Sequence, residues 1–247
     1  CLMLLGMELF ESLCHTFGTM ATGGFSTRNA SIGYYNHYGI ELVIIVFMVL
    51  AGTNFNIYAE ILQGKWRHAI KNPELKIYLS IMLIATILIT LDLVCHNSLV
   101  YKLGNALRAA SFQVVSIMTT TGYGTDDFDQ WPNFYRWLLV ALMFVGGSAG
   151  STGGGIKVFR LLLFCKLIVS ETEKTFRPSL VKPIRIGSQP IEDAQARSIG
   201  MYVGMVLIIA IISTTLLLAL ESNIDIETAF SAVAATLNNI GPGLNLV

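Results

Sequence analysis

Three short tracts of this chain hold residue types that could strip an ion of its water: Ala21-Thr22-Gly23-Gly24-Phe25, Thr120-Thr121-Gly122-Tyr123-Gly124 and Asn239-Ile240-Gly241-Pro242-Gly243. A cation gives up its hydration shell where other oxygens replace it, and backbone carbonyls converging from several loops can do so. Glycine permits the convergence, because aiming successive carbonyls at one axis demands backbone angles that residues with a side chain seldom adopt. The candidate filter residues are therefore Thr22, Gly23, Thr121, Gly122, Asn239, Ile240 and Gly241, with Gly24, Phe25, Tyr123, Gly124 and Pro242 supporting them. Thr22 and Thr121 add hydroxyl oxygens at the inner end of the site, whereas Ile240 leaves the third turn to contribute carbonyls alone. One such turn is no more than a helix-ending glycine. Three in similar surroundings ask for a shared purpose.

A second glycine tract is a candidate gate: Gly146, Gly147, Ser148, Ala149, Gly150, Ser151, Thr152, Gly153, Gly154, Gly155 and, after Ile156, Lys157. It superficially suggests a phosphate-binding loop, which would want Gly-Lys-Ser or Gly-Lys-Thr together. Ile156 separates Gly155 from Lys157, and Val158 follows. Apolar flanks place the tract at membrane depth, where non-helical backbone survives only if protein buries it or it lines a watery cavity. A movable plug beneath the filter fits that setting better than a simple kink. Lys157 and Arg160 then sit at the cytoplasmic end.

The elements that must position these tracts are helices. Of 247 residues, 53% are hydrophobic and 13% charged, with a mean hydropathy of +0.62, which excludes an ordinary soluble domain. Each glycine turn follows about 14 apolar and small residues, short of the roughly 20 that cross a hydrocarbon core, so these segments enter the membrane and turn back. The short helices are Glu8 to Met20, Asn105 to Thr119 and Glu227 to Asn238; their C-terminal ends carry partial negative charge toward the ion path. Full spans are expected over Ile40 to Leu62, Ile77 to Val100, Phe134 to Ile168 with an internal break, and Ile199 to Leu220.

The net charge is zero, but Lys and Arg gather in Gly64 to Lys76 and Lys166 to Arg197, which the positive-inside rule assigns to the cytoplasm. Acids occupy the alternate connections: Asp126, Asp127 and Asp129 after the second turn, Glu221, Asp225 and Glu227 before the third. The turns then open outward, and the acids either raise local cation concentration or are merely solvated. Asn54, Asn56 and Asp92 inside spans read first as interhelical hydrogen bonds, and Gly200 and Gly204 as a close-packing pair. Cys1, Cys14, Cys95 and Cys165 lack the spacing of a zinc site or disulfide framework, and His15, His37, His68 and His96 share no ligand spacing. No nucleophile stands beside a recognisable base, so an enzyme is not indicated; nor is a nucleic-acid partner.

Spanning helix, re-entrant helix, glycine turn and second span form the repeating unit. Residues 1–63 are a repeat lacking most of its outer helix, 77–168 a whole repeat including the candidate gate, 169–197 a cytoplasmic connection with Pro178, Pro183 and Pro190, and 198–247 a repeat that stops after its turn. The fold expected is all-α integral membrane, with helix, re-entrant pore loop and helix units around a central ion pore, as in potassium channels.

Four ordered motifs carry a family resemblance: Thr22 to Arg28, Thr119 to Thr125, Gly150 to Lys157 and Thr236 to Leu244. Together they resemble the bacterial Trk potassium-uptake membrane subunit. The resemblance covers essentially the whole chain and implies four pore-loop repeats of the inner membrane, one glycine per loop around a main potassium site. By position Gly23, Gly122 and Gly241 match those glycines. It implies also an intramembrane gate matching 146–155, homodimers surrounded by lipid, and a cytoplasmic nucleotide-binding regulatory subunit for which the basic segments are plausible contacts. Potassium is the cargo; no bound cofactor is expected. Three loops against four point to the retained part of a longer protein, or to other copies completing the ring. An ion-coupled transporter is the alternative, with Asp92 its best titratable candidate.

Overall fold

The computed structural model describes residues 1–96, 102–177, 184–186 and 189–245. Pro178, Lys182, Pro183 and the expected span end at Val100 lie outside them. In chain order the helices are α1 (Leu9–Met20), α2 (Tyr38–Ala51), α3 (Phe55–Leu62), α4 (Trp66–Lys71), α5 (Pro73–His96), α6 (Leu103–Met118), α7 (Asn133–Val145) and α8 (Val158–Phe176). A small hairpin, β1 (Arg185–Ile186) and β2 (Gln189–Pro190), precedes α9 (Asp193–Leu220) and α10 (Ile226–Leu237). The re-entrant helices α1, α6 and α10 start and stop within about two residues of where the sequence puts them, a normal fraying margin.

Among the described residues, two helices, α5 and α9, are long and apolar enough to cross a membrane unbroken. The expected span from Ile40 to Leu62 is instead a bent pair, α2 and α3 meeting at 90°. Its break is chemically complete. Asn54 caps α3, its Oδ1 accepting from the N–H of Asn56 at 2.9 Å, and the carbonyls freed on Ala51 and Gly52 accept from the N–H groups of Thr152 (3.4 Å) and Ser148 (2.9 Å). Gly52 is needed there, since a Cβ would overlap the Tyr78 hydroxyl. Asn54 is thus a helix cap whose side chain also bonds Glu74 of α5, the interhelical bond expected, whereas Asn56 is exposed. The span from Phe134 to Ile168 does break as expected, at Gly146 to Lys157 between α7 and α8.

The core gathers around α6, where every residue from Phe112 to Met118 is buried. A helix enclosed on all sides reads as apolar all round, and its two polar exceptions reach the chain that climbs back from the turn. Gln113 Nε2 donates to the Asp126 carbonyl at 2.8 Å, and Ser116 Oγ to the Tyr123 carbonyl at 2.6 Å. Helix α5 packs along α6. Gly200 lies against Leu167 of α8, while Gly204 meets nothing within 4 Å, so only one of the two closes a helix contact. Cys1, Cys95 and Cys165 are exposed and Cys14 is half-buried. The hairpin was not legible in the sequence. Ile184 and Ile186 fix it by packing on Leu163 and Ala196.

Candidate ion-conduction site

The three turns repeat one backbone conformation. In each, a residue two positions past the helix takes a left-handed conformation, Thr22, Thr120 and Asn239 at φ 51°, 57° and 57°, and two positions later a glycine does the same, Gly24, Gly122 and Gly241 at 66°, 81° and 110°. The residue between them bonds back five positions into its helix: Gly23 to Gly18 O (2.8 Å), Thr121 to Ser116 O (2.9 Å) and Ile240 to Ala235 O (2.8 Å). The glycine in register with Gly122 and Gly241 is therefore Gly24, not Gly23, and Thr22 is matched by Thr120 rather than Thr121. The sequence misleads here because two adjacent glycines offer two alignments. Non-glycine residues held left-handed cost of order 1 kcal/mol or more each, and such strain gathers at functional sites.

Backbone meets backbone across the turns. A Cβ on Gly24 would overlap the carbonyl oxygen of Thr121, and one on Gly122 that of Ile240, while at Gly241 nothing lies within 4 Å. The order is thus first, second, third turn, each seated on the next, with α1, α6 and α10 ending just before the contact. Thr22 donates its hydroxyl to Ala21 O (2.7 Å), and the Thr121 hydroxyl pairs with Thr119 (2.8 Å).

Tyr123 locks the first two turns from behind. It is fully buried, its hydroxyl facing the carbonyls of His15 and Phe25, each at 3.4 Å. Gly18 makes the slot, since a Cβ would strike that hydroxyl. Buried His15 donates Nδ1–H to the Glu11 carbonyl at 2.7 Å and pairs Nε2 with Ser26 Oγ at 2.9 Å. Phe25, the register mate of Tyr123, is 84% exposed. Gly124 donates to Ser31 Oγ at 3.2 Å and accepts from Gly33 at 3.1 Å, and Pro242 lies beside Gly122.

The acids are largely engaged. Arg136 joins Glu227 at 3.2 Å and Asp129 at 3.8 Å, bracing α7 against α10. Arg108 grips both oxygens of Glu41 at 2.6 Å, bracing α6 against α2, and Arg28 holds Glu11 at 2.5 Å. Asp225 caps α10, and the bonds from Thr228 keep its carboxyl below the ordinary carboxylate range. These pairs are invisible in sequence because their partners lie up to 91 residues apart.

Beneath the turns sits the glycine loop. The N–H of Gly154 donates to Thr120 Oγ1 at 2.5 Å. A Cβ on Gly153 would press on Thr119 O at 2.9 Å, and one on Gly154 would overlap Asn238 O. Gly146 and Gly155 cross so closely that neither admits a side chain. The Lys157 backbone is left-handed at φ 74°, and its ammonium donates to the Gly153 carbonyl and lies 3.3 Å from Ser151 Oγ. Gly147 and Ser148 lie against Gly52, and Gly150 against Asn54. The loop residues singled out in sequence thus pack together beneath the turns; sequence reasoning missed Glu74, which bonds Ala149 at 2.6 Å.

Re-entrant helices delivering strained turns to a common point, with a folded loop beneath, define an all-α membrane protein of the pore-loop class. The sequence profile of TrkH, described as a cation transport protein, matches residues 5–245, and this chain belongs to that family. It is 36% identical to the Trk system potassium uptake protein TrkH of Salmonella typhimurium over 247 residues, 98% of this chain and 50% of that protein. Against the Trk system potassium uptake protein TrkG of Escherichia coli K12 it is 32% identical over 244 residues, again 98% of this chain and 50% of the relative. The crystal structure of the potassium transporter TrkH from Vibrio parahaemolyticus superposes with a TM-score of 0.91 at 36% identity, covering 99% of this chain and 52% of that one. The chain spans about half the length of the curated relatives it matches. Family membership places it in the bacterial inner membrane.

Proposed function

We propose that this chain supplies three pore turns of a potassium-uptake pathway of the Trk system. The observation that carries the reading is the direct seating of Gly24 on Thr121 and of Gly122 on Ile240, which brings three sets of turn carbonyls to one place. Three pore-helix C-termini, each with about half an elementary negative charge, favour a cation there. The loop 146–155 acts as the gate, because it occupies the space under Thr119, Thr120 and Asn238. The similar Trk system potassium uptake proteins TrkH and TrkG support potassium as cargo. The protein works as a homodimer in lipid, with a cytoplasmic nucleotide-binding subunit docked on the basic connections, of which Lys65 precedes α4, Arg67 and Lys71 lie in it, and Lys76 lies in the first turn of α5.

Conduction is passive, driven inward by the membrane potential at about 2.3 kcal/mol per charge per 100 mV. In vesicles holding the full-length protein, the reversal potential should follow the potassium gradient and ignore an imposed proton or sodium gradient. A reversal potential that shifts with the proton gradient would establish coupled transport instead.

A further inference from the structure

Glu74 is an acid in a basic segment, and it is buried, with 6% of its surface exposed. A carboxylate in such a place must be met by donors. Its Oε1 accepts from the N–H of Ala149 at 2.6 Å, and the Asn54 side chain, the N–H of Phe159 and the Lys157 charge also face it. One side chain therefore touches the plug, the bend between α2 and α3, and the first turn of α8, whose positive end suits an anion. Lys157 grips the loop's other arm through the Gly153 carbonyl. The loop is clamped by opposite charges, an N–H held at one end and a C=O at the other.

Glu74 is itself fixed to the cytoplasmic connection. Asn72 Oδ1 accepts from the N–H groups of Glu74 (2.9 Å) and Leu75 (3.3 Å), and Pro73 takes the first helical position, where its missing N–H costs nothing. Residues 65–72, holding α4 and three of the segment's cations, run directly into that cap. We propose that Glu74 is the positioning residue that latches the glycine loop under the turns, and that displacing the start of α5 through the basic connection releases it. The proposal rests on the reading of loop 146–155 as a gate.

The test uses the full-length protein with its native cysteines removed and Ala149→Cys as a reporter, whose N–H still donates. Thiol labelling from the cytoplasmic side and potassium flux are read in the same vesicles. Glu74→Gln keeps size but removes the charge and replaces one acceptor oxygen with an NH2 group that cannot accept from a backbone N–H. Losing a charge-assisted bond predicts about tenfold faster labelling and a parallel rise in flux, with the potassium-to-sodium ratio unchanged. Asn72→Ala, which leaves the carboxylate intact, should move both readouts less and in the same direction, and it serves if Glu74→Gln fails to fold. Labelling at the parental rate overturns the latch, whatever the flux. Faster labelling at unchanged flux leaves Glu74 seating the loop but overturns the gating role.

Discussion

Gly122→Ser in the full-length protein is expected to lower the potassium-to-sodium permeability ratio about tenfold or more, since strain of 1–3 kcal/mol in a turn spans roughly one to two decades. Two effects add at this position. The residue sits at φ 81°, which a serine adopts reluctantly, and its Cβ would overlap the Ile240 carbonyl oxygen. The obstruction is backbone, so no rotamer relieves it and the third turn must shift. Gly24→Ser should behave alike, because its φ is 66° and its Cβ would overlap the Thr121 carbonyl. Gly23→Ser should be close to silent: its nearest neighbour is the Phe25 ring at 3.6 Å. Bi-ionic potentials in planar bilayers read all three. A ratio that falls for Gly23→Ser and holds for Gly24→Ser would reject the register assigned to the first turn.

Deleting Ala149 to Gly154 should raise basal potassium flux by about tenfold while leaving the permeability ratio unchanged, because removal of a few hydrogen bonds worth about 1 kcal/mol each frees the path below the turns and leaves the contacts between the turns in place. The deleted residues include the Gly154 N–H on Thr120, the backbone of Gly153 against Thr119 O, and the Thr152 N–H on Ala51. Gly122 and its neighbours keep their bonds to α6, so discrimination should survive. Rubidium uptake into vesicles at fixed potential checks this, and a protein that conducts less after the deletion has no gate in this loop.

Much of this arrangement was legible in the residues. Helices α1, α6 and α10 are marked by sub-spanning apolar length followed by glycine, and local chemistry decides them. The loop 146–157 was legible for the same reason, as glycines too dense for helix between apolar flanks. The 90° bend after Ala51 was not, because Gly52-Thr53-Asn54 reads as a tolerable interruption until N–H groups of loop residues about a hundred positions on donate to the carbonyls of Ala51 and Gly52. The register of the first turn was missed at Gly23-Gly24, where composition offers two equal choices and only the left-handed φ of Gly24 decides. Tyr123 and Gly18, Arg108 and Glu41, and Glu74 and Ala149 are long-range pairs with no local signature.

The central claim, that the converged turns hold the transported ion, is tested most directly by anomalous diffraction from crystals of the full-length protein grown in rubidium. The account predicts an anomalous peak between the turns at 22–24, 120–122 and 239–241, above Thr120 and the glycine loop. Rubidium bound elsewhere, with no peak between those turns, would contradict it.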